Sequence, residues 1–364
     1  MAVIDARWAQ VRRLLVVRLD NLGDLLMTTP ALAALRQALP QARMALLASP
    51  SGAAALPHLP MLDEAIAYDA PWVRSSAGDG AQADHALLQR LALAEFDAAI
   101  VFTVCTQSAL PAALLCRLAG IPLRLAHSRE NPYGLLSDWV RDADQVQTGM
   151  RHEVQRQLDL VRQLGIDASG GPLVFQVPSA HARRLRQRLA AASGSASRPY
   201  FAVHVGASAA SRRYAPEGFA AAADAIARLS GLLPVFTGTA SEQALVEQVR
   251  SRMAMPSLAL AGALDLGELG ALLAGARVLV ANNTGPVHMA AALGTPVVVL
   301  YAQTNPQHTP WQVPARVLFH DVDCRHCLRS TCPAGHHDCL ARVAPADVAA
   351  AALELLQAGA REAA

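Results

Sequence analysis

Lysine is absent from this chain of 364 residues: all 31 basic side chains are arginine, set against 29 acidic ones. A net charge of +2 argues against nucleic acid as the main partner, because phosphate binding needs a concentrated basic surface. The absence of lysine also means that arginine at a position suited to lysine is weak evidence against function. Aromatic residues make up 4%. No apolar run reaches the ~20 residues a membrane helix needs. The most apolar window, Val278 to Tyr301, is broken by Asn282, Asn283, Gly285, Pro286, His288, Gly294 and Pro296. The first residues, MAVIDARWAQVRR, lack the apolar core and cleavage site of a secretory signal, so a cytoplasmic protein is expected. The pattern G-x-G-x-x-G is missing too, which argues against a nicotinamide dehydrogenase.

What is present is ample apolar material, 53% of the residues, over a length at which single cores tend to divide. Strand-like and helix-like patterns alternate, which predicts parallel sheets with crossover helices. Buried strands are expected at Leu14–Arg18, Met44–Ala48 and Ala98–Val104, with helices at Pro30–Leu39 and Gln107–Ala119. A second series of strands runs through Tyr200–Val205, Leu232–Thr237, Val278–Ala281 and Val297–Tyr301. Its helices fall near Pro216–Leu229, Ser241–Met253, Leu266–Ala274 and Pro286–Leu293. Between the series, Ala180–Ser197 is a basic helical stretch ending in Gly, Ser and Ala, and reads as a linker. The expected organisation is a Rossmann-like domain over 1–178, a second over 198–344, and a helix in 345–364 packing back on the first. The two α/β domains are expected to face each other across a cleft.

Three segments carry chemistry. In LLVVRLDNLGDLLMTTPAL (14–32) a buried strand enters a tight turn at Gly23 and a helix follows. Ligands of such sheets sit at the carboxyl ends of strands, where Asp20 and Asp24 are the available carboxylates. Asp24 suits either a carboxylate facing substrate or a helix cap. In VANNTGPVHMAAALGTPVVVLYAQTNPQHTPW (280–311) the turn Asn283–Thr284–Gly285–Pro286–Val287–His288 opens a helix. Its free N–H groups and dipole make an anion site fit for a diphosphate. In YFAVHVGASAASRRYAPEGF, from Tyr200, a strand delivers Ser208 and then Arg212 and Arg213, whose guanidinium forks suit phosphate.

Together with FTGTASE, these segments resemble glycosyltransferase family 9, the bacterial heptosyltransferases that build the inner core of lipopolysaccharide, in the family's order along most of the chain. The resemblance implies the GT-B architecture, with the first domain on the acceptor side and the second binding the donor. It implies transfer of heptose from ADP-heptose to a lipid-linked glycan acceptor, with inversion. Asp24 then falls at the family's base, Arg212, Arg213, Ser208 and the 283–288 turn at the donor diphosphate, and Glu242 near the ribose or base. Catalysis is expected to need no metal. Two positions depart from the family pattern: Arg212 where Lys is common, and Asn283 where many members carry Asp. Two alternatives stay open, a GT-B transferase using another nucleotide sugar or acceptor, and a non-catalytic nucleotide-sugar-binding protein. A lipid-linked acceptor would imply peripheral contact with the inner membrane, for which Trp8, Arg7, Arg12 and Arg13 are candidates.

Of six cysteines, Cys105 and Cys116 lie in apolar segments and are expected to be buried packing residues. Cys324, Cys327, Cys332 and Cys339 cluster in CRHCLRSTCPAGHHDC (324–339), four soft ligands that could close a structural zinc site. Their gaps are shorter than those of zinc ribbons, and reduced thiols or one disulfide are the other readings.

Overall fold

A computed structural model describes residues 4–73, 80–144, 150–194 and 198–362. The chain divides into two compact units, Met1–Val174 and Phe175–Ala364. Each contains one six-stranded parallel sheet with helices on it. The first consists of β1 (Arg13–Arg18), β2 (Arg43–Ala48), β3 (Glu64–Ala67), β4 (Ala98–Val101), β5 (Leu123–Ser128) and β6 (Asp138–Arg141), in the order β3-β2-β1-β4-β5-β6. The second consists of β7 (Tyr200–His204), β8 (Leu233–Thr237), β9 (Leu258–Ala259), β10 (Leu279–Asn282), β11 (Val297–Leu300) and β12 (Ala315–Leu318), in the order β12-β11-β10-β7-β8-β9.

Both are α/β, doubly wound sheets, as the alternating pattern implied. Central strands covered on both faces must be apolar throughout. The runs Leu14–Val17 and Val297–Leu300 are accordingly buried at every position. In each sheet the chain builds outward one way, then returns to build the other way. The reversal lies between β1 and β4 in the first unit and between β7 and β10 in the second. Crevices at such reversals, beyond the carboxyl ends of the strands, are where ligands of these folds bind.

Several local expectations change. The first helix runs from Leu22 to Ala38 and passes through Pro30 instead of starting there. Pro30 cannot donate to the Leu26 carbonyl, but the Thr29 hydroxyl does so at 2.6 Å, so that acceptor is satisfied. The basic stretch after residue 178 is a helix of the second unit, Ser179–Ser193, docked on the helix Leu266–Gly275. Arg184 and Arg188 reach the buried Glu268 at 3.3 and 3.0 Å, and Arg184 also pairs with Asp265. The final helix, Pro345–Glu362, directs its buried face to the second unit's core. There Val348, Ala352 and Leu355 join Phe219 and Ile226 of the helix Pro216–Ser230. Its apolar face is thus packed within the second unit.

Candidate active site

In the first unit the site is built on a buried ionic cluster under the β1 turn. Arg18, the last residue of β1, is fully buried. Its guanidinium lies 2.8 Å from Glu153, 3.2 Å from Asp20 and 3.7 Å from Asp24. Burial works against its charge, but the attraction of Asp20, Glu153 and Asp24 outweighs it and raises the pKa. Glu153 is equally buried and accepts from Gln157 Nε2 at 2.6 Å. Gln157 also donates to the Thr103 carbonyl at 3.0 Å, and Arg156 reaches the same oxygen. Thr103 follows β4, so the helix Glu153–Arg162 ties the ends of the two central strands together.

Asp24 is a helix cap, one of the two readings the sequence offers. One carboxylate oxygen accepts the Asn21 amide at 3.2 Å, the return half of a capping box on the helix Leu22–Ala38. The other lies toward Arg18, and the side chain keeps 14% of its surface exposed. Asp20 differs. Burial, with Arg18 opposing and Asp24 and Glu153 adding repulsion, pushes it up to about 6. Further along the cluster, burial and the Arg156 cation bring His127 down to about 4, from 6.5.

These two groups give opposite pH dependences. Asp20 has a folded pKa above its ordinary 3.8, so it contributes stability below that value and loses it as pH rises through about 6. His127 has a folded pKa below its ordinary value, so its contribution is present above 6.5 and lost as pH falls through about 4. Each amounts to about 3 kcal/mol, so they oppose each other over the shared window. In Asp20→Asn only the histidine slope remains. The urea midpoint should therefore fall more steeply than wild type between pH 6.5 and 4. Parallel curves would contradict the Asp20 assignment.

In the second unit the reversal between β7 and β10 is closed by Asn282, which is fully buried. Its amide donates to the Val205 carbonyl at 2.8 Å, and its oxygen accepts the Tyr214 amide at 3.0 Å. The loop carrying Ser208, Arg212 and Arg213 is thereby pinned to the end of β10. Ser208 is exposed, Arg212 half-buried and Arg213 exposed. Arg213 Nε donates to the Ala207 carbonyl at 3.0 Å, folding back on its own loop. Among the described residues neither arginine forms an ion pair, and the charge of Arg212 reaches Tyr301, which is bonded to Asn283 at the turn.

That turn runs as the sequence implied. Thr284 precedes the helix Gly285–Ala292, Pro286 sits in its first turn, and Pro286, Val287 and His288 are buried. Asn283 is buried and hydrogen-bonded to the Tyr301 hydroxyl, on which the Arg212 charge also acts. The same hydroxyl donates to the Asn305 carbonyl and accepts the His308 amide at 3.1 Å. An amide at 283 therefore organises the loop after β11 by hydrogen bonding and needs no charge for that work. Glu242 closes the other side. It caps its own short helix by accepting the Thr239 amide at 2.8 Å, and its carboxylate lies against Gly206 so closely that a side chain there would collide. The structure thus gathers Arg212, Asn283 and the 284–288 turn, and separately brings Glu242 against the end of β7.

Sequence reasoning missed Arg18, Glu153 and Asn282. Arg18 and Glu153 stand 135 residues apart, and nothing local in the sequence signals that they pair. Of the membrane candidates, Trp8 is fully buried and Arg7 is paired with Asp5 and Asp138, while Arg12 and Arg13 are exposed. Cys105 and Cys116 are buried, as expected.

Residues 85–337 match the family described as glycosyltransferase family 9 (heptosyltransferase). The chain is 33% identical over 82 residues to lipooligosaccharide heptosyltransferase 2 of Campylobacter jejuni, a match covering 22% of this chain and 26% of that one. That alignment spans about a quarter of the relative. With lipopolysaccharide heptosyltransferase 2 of Escherichia coli the likeness runs nearly end to end, 25% identity over 343 residues, 92% of this chain and 95% of the other. A solved structure, described as E. coli ADP-heptose LPS heptosyltransferase II, aligns with TM-score 0.71 and 24% identity, over 97% of this chain and all of that one.

Proposed function

The chain belongs to glycosyltransferase family 9, and from that premise we propose that it moves a heptose from ADP-heptose to the lipid A–core acceptor of lipopolysaccharide, inverting the anomeric centre. The observation that carries the proposal is the pair of unneutralised guanidiniums, Arg212 and Arg213, on a loop that Asn282 pins to the helix-opening turn. A diphosphate bears the charge this arrangement lacks, and the names of the E. coli relative and structure supply the sugar and the acceptor class.

In this reading Asp24 accepts the proton of the acceptor hydroxyl as that oxygen attacks the anomeric carbon. The bond from that carbon to the diphosphate breaks, and its electron pair leaves with ADP. The growing negative charge falls to Arg212, Arg213 and the amides at the start of the helix Gly285–Ala292, which act electrostatically in the transition state. Ser208, on the same loop, would offer a hydroxyl to the donor, and Glu242 would accept from a ribose hydroxyl. The acceptor is lipid-linked, so the work would be done at the cytoplasmic face of the inner membrane. No described helix is long and apolar enough to cross one.

Nucleotide selectivity tests this directly. At 100 times its Kd a ligand stabilises the fold by ~2.7 kcal/mol, a rise in melting temperature of about 5–10 °C for a unit of this size. ADP and ADP-heptose are expected to give that rise while UDP- and GDP-sugars do not. A preference for uridine or guanosine ligands would overturn the donor, and no response to any nucleotide would overturn the site.

A further inference from the structure

Every polar group of Ser211, the residue before Arg212, is taken up by one distant segment. Its amide donates to the Ser330 carbonyl at 3.0 Å, and its hydroxyl to the Arg329 carbonyl at 2.7 Å. Its carbonyl lies 2.6 Å from His337 Nε2. A carbonyl oxygen only accepts, so that nitrogen carries the hydrogen. Ser211 is buried, with 3% of its surface exposed. The same segment holds a second loop, the one after β11. Leu328 donates to the Thr304 carbonyl at 3.0 Å, and His326 to that of Gln303.

Residues other than glycine seldom hold a left-handed backbone, and where they do the surroundings keep them there, most often at functional sites. His326, Leu328 and His337 do so, at φ 59°, 53° and 57°. They are also the three residues of the segment that donate to the 303–304 and 211 loops. Strain and attachment coincide: the segment takes costly backbone conformations where it grips those loops. Both loops belong to the arrangement assigned to the donor. The first carries Arg212 and Arg213. Asn282 pins it at Val205 and Tyr214, and Ser211 is held between those two points. The second contains Asn305, whose carbonyl accepts the Tyr301 hydroxyl that also meets Asn283.

We propose that His337 and Ser211 are a positioning pair for the donor diphosphate: the imidazole holds the Ser211 carbonyl and thereby fixes where Arg212 and Arg213 present their charge. This role rests on the proposed function, whose donor it serves. Neither His337 nor Ser211 is assigned a contact with substrate. Arginine stands on a long rotatable stem, and a charged group misplaced by about 1 Å loses much of its effect on a reacting centre. Holding the backbone one residue before Arg212 fixes the origin of that stem, which the bonds at Val205 and Tyr214 leave open.

The test compares ADP with adenosine by calorimetry on the full-length protein, because the arginines meet only the phosphates. In His337→Leu the Kd for ADP should rise about tenfold, the upper end of what one hydrogen bond is worth, while that for adenosine stays as in wild type. His337→Gln returns an amide N–H near the place of Nε2 and should restore ADP affinity to within about threefold. A left-handed backbone costs leucine and glutamine alike, so the two variants differ in that bond. Should His337→Leu fold poorly, Ser211→Ala carries the test. It keeps both backbone bonds and loses the hydroxyl bond to Arg329, so the ADP Kd should rise about threefold with adenosine unchanged. An unchanged ADP Kd in His337→Leu overturns the pair. Equal losses of ADP and adenosine, or no recovery in His337→Gln, assign His337 to the fold and overturn it as well. Wild-type protein that binds adenosine as well as ADP, or binds neither, overturns the donor assignment and the pair with it.

Discussion

Asp24→Asn is expected to lower turnover by about 10²–10⁴-fold, the usual contribution of a positioned general base, with ADP-heptose still binding within a few-fold of wild type. The separation follows from the placement of the group. Asp24 belongs to the first unit, in the first turn of the helix after β1, whereas every residue assigned to the diphosphate belongs to the second. The substitution is also mild for the fold. Asparagine keeps an oxygen able to accept the Asn21 amide, so the cap is retained at a cost of about 1 kcal/mol or less. Arg18 keeps Glu153 at 2.8 Å and Asp20 at 3.2 Å, so its charge is not stranded. The measurement is ADP release in the presence of a core-truncated lipopolysaccharide acceptor, beside donor affinity from thermal shift. A variant that turns over at the wild-type rate would remove Asp24 from the chemistry. A wild-type protein that binds the donor and never turns over would leave a binding module.

The parts of this molecule that were legible in its sequence are those where one local pattern has one physical cause. A run such as Val297–Leu300 can only be a strand buried on both faces, and a turn like Thr284–Gly285–Pro286 after a strand opens a helix with free amides. Five strands escaped because they lack that signature. β3, β6, β9 and β12 are short and partly exposed, and all four are edge strands, two to each sheet. β5 is interior but spells Leu-Arg-Leu-Ala-His-Ser. Its polar side chains are buried because tertiary partners meet them: Arg124 binds the Leu135 carbonyl at 2.6 Å, and His127 lies 3.2 Å from the Arg156 carbonyl. The candidate site divides the same way. Asp24 and the 283–288 turn announce themselves by their neighbours in sequence. Asn282 reads as a strand ending until the carbonyl and amide it joins, 77 and 68 residues away, are known.

The Arg18 cluster shows most clearly how a long-range pair can govern a local site, and Arg18→Met is the second large effect expected. Methionine fills the space of the stem, so packing is nearly conserved, but Glu153 is left fully buried beside Asp20 and Asp24 with its cation gone. Breaking a buried pair from one side costs about 3–5 kcal/mol, a large share of the ~5–15 kcal/mol that holds a typical domain together. Glu153 can shed this cost by taking a proton, which makes the loss smaller at low pH than at pH 8. Combining Arg18→Met with Glu153→Gln removes both charges of the closest pair and should restore most of the lost stability, since a glutamine can still meet Gln157 and the cluster no longer buries an unpaired carboxylate there. Activity should not return with stability, because Asp24 has then lost the guanidinium 3.7 Å away that fixes one face of its carboxylate. Urea unfolding of the two single variants and the double variant gives the coupling energy, and ADP release measured on the refolded double variant gives the other half. Additive losses in stability would show that Arg18 and Glu153 do not act as a pair. A stable double variant with wild-type turnover would show that the buried cation serves the fold and leaves Asp24 to work unaided.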